Sequence, residues 1–210
     1  MKIQPYIEKL NTSKEYKQFT SKHSDAFMMA GFFVLDFESG KNLHQIDYYI
    51  PSEKKVAAFT LDEGVTVQML KTMTEKTPEK LDMNTNTDLD ELKGILKDEM
   101  KNRGMTEEIN KIIAVIQNIE GKKIWNLNCI LSGMELLRSH VEDESKSVLK
   151  MEKVSMMSLM KRLPKEQLQK MKEQAQGQQS QESNEGKIKK LDKLKEAIEK
   201  EEERLKKEKV

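Results

Sequence analysis

Cysteine is nearly absent: Cys129 is the only one in the chain. A single thiol excludes an intramolecular disulfide framework and suits a reducing compartment. No Gly-x-Gly-x-x-Gly or Walker-type run occurs, so the usual phosphate-cradling loops are missing. The longest apolar run, Ala26 to Leu35, falls far short of the roughly 20 residues that span a bilayer. Met1 to Leu10 lacks the uninterrupted apolar core of a signal peptide. Charge of one sign is also lacking, with a net of +1, which removes any whole-chain drive toward nucleic acid or an acidic membrane. These absences predict a soluble, cytoplasmic protein with no membrane partner.

Apolar residues make up 36% of the chain and concentrate between Ala26 and Met160, while charged residues make up 35% and dominate the tail. Ile3, Tyr6, Ile7 and Leu10 have helical spacing, Asn11-Thr12-Ser13 offers a cap, and Tyr16 and Phe19 mark a second short helix. Ala26 to Phe37 is apolar on both alternating faces. That fits a central strand covered on both sides, and a buried helix has the same periodicity. Strands follow over 43–50, 56–61 and 65–70, separated by turns at 38–41, 51–54 and 62–64. Pro78 and the polar residues of 74–86 read as a linker. Thr87 is expected to cap a helix whose stripe is Leu89, Leu92, Leu96 and Met100, with Gly104 as its stop. Asn110 to Leu131 reads as a hairpin turning at Glu120-Gly121-Lys122, followed by strands over 134–142 and 147–154.

Gly121 follows Gly40 by 81 residues, and the same offset lays Leu43-His44-Gln45-Ile46 over Ile124-Trp125-Asn126-Leu127 and Asp62-Glu63 over Asp143-Glu144. Without a gap it also lays Phe32 to Leu35 over Ile113 to Ile116. The fold class expected is α+β: two helix-plus-four-stranded antiparallel meander units in tandem, then a flexible linker and a charged C-terminal helix. The boundaries are 1–73 for the N-terminal unit, 74–86 for the linker and 87–163 for the C-terminal unit with a short Met-rich helix. A helical turn and Gln/Ser-rich linker take 164–185, and the charged amphipathic helix takes 186–210.

The helix of Asp90–Arg103, the aromatic strand Lys123-Ile-Trp-Asn-Leu-Asn128 and the close Val141-Glu-Asp-Glu-Ser-Lys-Ser-Val-Leu149 resemble the PepSY-like and broader cystatin-like α+β families. Ser145-Lys146 stands where that family usually has a Gly. The whole chain is also similar to uncharacterised archaeal proteins built from this tandem. The resemblance covers about residues 10–155 and implies a binding or inhibitory module without shared catalytic residues.

The residues themselves offer little chemistry. His23, His44 and His140 have no metal-ligand spacing, and Cys129 has no nearby Cys or His, so no metal, cofactor or catalytic residue is expected. Cys129 with His44 or His140 as base is the weaker alternative to a buried, inert thiol. Asp62-Glu63 and Asp143-Glu144 read as solvated turn residues. Trp125, Tyr48 and Tyr49 read as core, although Tyr48 and Tyr49 alternate in direction, which would leave one exposed.

Two surfaces are candidates for a protein partner. Met157, Met160 and Met171 belong to a Met-rich stretch that suits either docking on the core or adaptable peptide binding. In the tail, Leu191, Leu194, Ile198 and Leu205 form a heptad stripe that fits a solvated helix or a tethered partner-binding helix equally well. The function expected is a non-enzymatic binding or adaptor module. A PepSY-like peptidase inhibitor is the alternative, and weak RNA or ribosome association through the Lys-rich tail is a second one.

Overall fold

The computed structural model describes residues 3–72, 76–82, 84–133 and 135–155. Three helices are present there: α1 (Gln4–Thr12), α2 (Lys14–Lys22) and α3 (Leu89–Asn102). The first four strands are β1 (Phe27–Asp36), β2 (Leu43–Ile50), β3 (Lys55–Thr60) and β4 (Thr66–Lys71). The others are β5 (Ile109–Ile119), β6 (Lys122–Leu131), β7 (Glu135–Glu142) and β8 (Val148–Ser155). All eight join one antiparallel sheet in the order β4-β3-β2-β1-β5-β6-β7-β8. The class is α+β. The two meanders, whose mutual packing the sequence leaves open, share one sheet, because β1 pairs antiparallel with β5.

Local chemistry sets the element ends. Ser13 separates α1 from α2 and accepts the Tyr16 N–H at 3.1 Å, the usual N-cap bond. The expected cap of α3 is corrected by one residue. Asp88 is the N-cap, and its N–H donates to Glu91 three positions on, while Thr87 is turned toward the sheet. Leu89, Leu92, Leu96 and Met100 are all buried, so the stripe falls on one helix face. Glu120 and Gly121 both have positive φ, 53° and 76°, which is the type I′ geometry that matches strand twist in a two-residue hairpin.

Alternation then sorts the strand residues. His44, Ile46, Tyr48 and Ile50 of β2 share a face with Phe33 and Leu35 of β1, Phe59 of β3, Ala114 and Ile116 of β5, and Trp125 and Leu127 of β6. These residues and the apolar faces of α1, α2 and α3 form one buried cluster. Its strand members come from this face alone, so the three described helices all cover the same side.

At the centre of the sheet, small residues oppose large ones. Gly31 pairs with Ile116, and Ala114 pairs with Phe33. A Cβ on Gly31 would lie 2.9 Å from the Phe33 ring and 3.1 Å from the Ile116 side chain. The pair Phe32–Val115 sits between these two, so the junction reads the same from either side.

The stretch expected as a linker is fastened to the sheet. Leu81 is 2% exposed and donates its N–H to Met28 O at 2.8 Å, where β1 carries a bulge. The Glu79 carboxylate accepts the N–H groups of Glu120 and Gly121 at 2.9 and 3.0 Å. Lys123 donates to Asn84 O and pairs with Asp82.

Candidate functional site

Two aspartates at the ends of the meanders' third strands organise the polar chemistry of the body. Asp143 is 1% exposed. Its Oδ1 accepts the Trp125 indole N–H at 2.9 Å and the Thr87 N–H at 3.1 Å, and its Oδ2 accepts the Asn86 N–H at 2.8 Å. Its own carbonyl accepts from the Thr87 hydroxyl at 3.2 Å. A buried carboxylate needs such donors, since leaving it bare would cost several kcal/mol. The network ties the start of α3 to β6 and to the turn after β7.

In the other half, Asp62 accepts the His44 N–H at 2.8 Å and meets His44 Nδ1 at 2.6 Å. The Tyr6 ring stacks on His44, with centroids 4.0 Å apart and planes 11° from parallel. Burial, and then the Asp62 charge, push the Tyr6 hydroxyl above its ordinary pKa. Lys9 donates to the carbonyls of Leu61 and Asp62, which ties α1 to the same turn. Both aspartates, expected as solvated turn residues, are clamps between a helix and the sheet. The signal that could have revealed them was present: the 81-residue offset that aligns the aspartates also aligns their aromatic donors, His44 and Trp125.

The other singled-out residues are dispersed. Cys129 is buried between Ile112 and Leu137, and burial pushes its thiol up to about 12. His140 lies on the opposite face of the sheet, and His44 is separated from Cys129 by β1 and β5. The structure brings neither histidine to the thiol. Tyr48 and Tyr49 are both 6% exposed, which corrects the expectation that one would be free. Tyr48 meets the Tyr16 hydroxyl at 2.9 Å on the helix side, and Tyr49 packs on Phe27 on the other. No group of three or more potential metal ligands occurs among the described residues. Met157, Met160, Met171, Leu191, Leu194, Ile198 and Leu205 lie outside the described residues, as do the helices and linker expected over 156–210.

Three other features lie apart from the clamps. Asp47 lies on the face away from the described helices, between Ala30 and Ala58. Burial raises its carboxyl to about 6, against the opposing pull of the Gln45 amide that donates to it at 2.8 Å. A cavity of about 460 Å³ is lined by Pro78, Gln117 and Asn118 among others, and the buried Asn118 Oδ1 accepts no hydrogen bond from the described residues. A shallower groove of about 200 Å³ runs between α2 and β4, and Val67 and Met69 form its floor.

No described helix is long and apolar enough to cross a membrane. No protein-family model matches the chain, and no curated protein matches it. Among solved structures, a candidate lipoprotein from Clostridium difficile 630 is similar at 15% identity with a TM-score of 0.46, over 66% of this chain and 89% of that one. Likeness at this level is loose and assigns neither fold nor function.

Proposed function

We propose that the chain is a non-enzymatic binding or adaptor module, a rigid platform of two tandem α+β units whose C-terminal segment 186–210 engages a partner protein. The observation that carries this reading is the commitment of the reactive side chains to structure. His44 is clamped by Asp62 under Tyr6, Trp125 and Asp143 close the second clamp, and Cys129 is sealed in the core. Descent of both units from one ancestor is supported by the matched clamps and by the Phe32–Val115 junction. Recognition then falls to surfaces, and the stripe Leu191, Leu194, Ile198 and Leu205 is the narrow apolar face that a groove would accept.

The test is affinity capture with three proteins: full length, a chain ending at residue 173, and full length carrying Leu194→Lys and Ile198→Lys. The platform folds in all three, and a specific partner is retained by the full-length chain alone. A partner held equally by all three would remove the tail from the proposal, and turnover of any substrate by the 173-residue form would remove the adaptor reading itself.

A further inference from the structure

The two ends of the sheet are built differently. β8 carries Lys150, Glu152 and Lys153, with Lys150 paired to Glu152 at 3.1 Å and Lys153 to Glu135 at 3.1 Å. Charge of this kind is how an edge strand is kept from pairing with another chain. β4 has no such protection. All six of its residues are exposed, including Val67 at 42%, Met69 at 43% and Leu70 at 40%, and Lys71 at its end is its one charge. β3 is its one neighbour among the described strands.

We propose that β4 is a self-association edge: two copies of the chain pair β4 against β4, antiparallel about a twofold axis normal to the sheet, and double its width. This goes beyond the adaptor reading and does not depend on it. The sequence of β4 fits the operation. Val67, Met69 and Lys71 lie on the helix side, opposite Phe59, Ala57 and Lys55, and Thr66, Gln68 and Leu70 lie on the other. A twofold normal to the sheet keeps each face on its own side, so odd positions must meet odd ones. With Gln68 opposite Gln68 of the second copy, Val67 meets Met69 twice and Thr66 meets Leu70 twice. Lys71 then falls opposite Val65, and no two like charges face each other.

Charge complementarity beside the strand selects a second copy over an unrelated peptide. The groove above Val67 and Met69 is walled by Glu15, Gln18 and Lys22 of α2, an acidic residue at one end and a basic one at the other. The twofold reverses this row and brings the Glu15 end of one copy toward the Lys22 end of the other. A six-residue edge with a shallow groove makes a small interface, of the class that associates weakly.

The experiment is analytical ultracentrifugation of the full chain from about 1 to 500 µM, the range in which such interfaces dissociate, alongside Val67→Lys and Met69→Lys. The wild type shifts from monomer to dimer, and each lysine variant needs at least about tenfold more protein to do so, equivalent to 1.4 kcal/mol or more. Both variants keep the wild-type melting temperature, because the two side chains are exposed. Register is read from Gln68→Cys and Leu70→Cys, which lie on the same face. Gln68→Cys forms a disulfide-linked dimer under mild oxidation, and Leu70→Cys forms little; the buried Cys129 stays silent. A chain that stays monomeric across the range overturns the proposal and leaves β4 to an extended peptide of another protein. Dimerisation untouched by Met69→Lys but lost on removing residues 186–210 overturns it in favour of the tail. Equal crosslinking at positions 68 and 70 overturns the register.

Discussion

His44 and Trp125 hold the same station in the two halves of the sheet. Each lies in the second strand of its meander, 81 residues apart, and each directs a ring nitrogen at the aspartate after its meander's third strand, Asp62 or Asp143. The halves solve one problem, fastening a helix to a twisted sheet, with different aromatic donors. Trp125 is 0% exposed and His44 2%, so the solutions match in burial as well.

The clamps differ in what their loss should cost. Asp143→Ala orphans the Trp125 indole and the N–H groups of Asn86 and Thr87, all at a buried site, and should lower stability by about 3–5 kcal/mol. Asp143→Asn keeps one acceptor oxygen and should cost about 1–3 kcal/mol. Asp62→Ala acts at a side chain that is 27% exposed, where water replaces part of what is lost, and should cost about 1–2 kcal/mol. Urea titration followed by Trp125 fluorescence measures all three. Equal losses at Asp62 and Asp143 would contradict the ranking by burial.

The division between what could be read from sequence and what could not follows the range of each interaction. Strands and turns were legible because alternation and positive-φ positions such as Gly121 are local properties. The stripe of α3 was legible for the same reason. The β1–β5 pairing was not, since nothing local tells a strand which distant strand it will meet. The ungapped offset also fails within the first strands: Phe33 pairs with His44 and Ile116 with Trp125, so the structural equivalence there is 83 residues, two more than in the second strands. The longer loop after β1 absorbs the difference, and a shift of two preserves the face. Asp143 reads as a turn residue from its neighbours alone, because the three N–H donors that converge on it lie 18, 56 and 57 positions away, and only the 81-residue offset points to one of them, Trp125.

Gly31 should tolerate no side chain. Its added methyl would press on the Phe33 ring and the Ile116 side chain, both buried and held from several sides. Gly31→Ala is therefore expected to destabilise by about 1–3 kcal/mol, although alanine is ordinarily the better strand residue. Phe33→Leu in the same chain should recover part of that loss, giving a double-mutant coupling of opposite sign to the single effects. Additive losses in thermal or urea unfolding would show that the contact is not the cause.

Asp47 should make the fold sensitive to pH in the direction opposite to most carboxylates. Its pKa rises from about 3.8 unfolded to about 6 folded because burial disfavours the charge. Its favourable contribution is fully present below about pH 4 and is lost as pH rises through 6. A shift of this size corresponds to about 2–3 kcal/mol at pH 7. Asp47→Asn, which keeps an acceptor for Gln45, should be more stable than wild type at pH 7 and indistinguishable from it near pH 4. The difference in unfolding free energy between the two proteins, taken from pH 4 to 7.5, tests this. A flat difference would mean that Asp47 is solvated.

Cys129 supplies the sharpest contrast between a packing thiol and a nucleophile. With its pKa pushed up to about 12, its thiolate fraction at pH 8 is about a thousandfold below that of a free thiol, before access is considered. Alkylation of the folded protein should be slower than that of the unfolded chain by at least this factor, and should follow the unfolding equilibrium when urea is added. Substitutions separate packing from chemistry. Cys129→Ala removes one buried sulfur and should cost about 1–2 kcal/mol. Cys129→Ser places a hydroxyl in an apolar site and should cost more, about 2–3 kcal/mol. A nucleophile held ready for catalysis would give the reverse pattern: rapid labelling of the folded protein and little stability lost with serine.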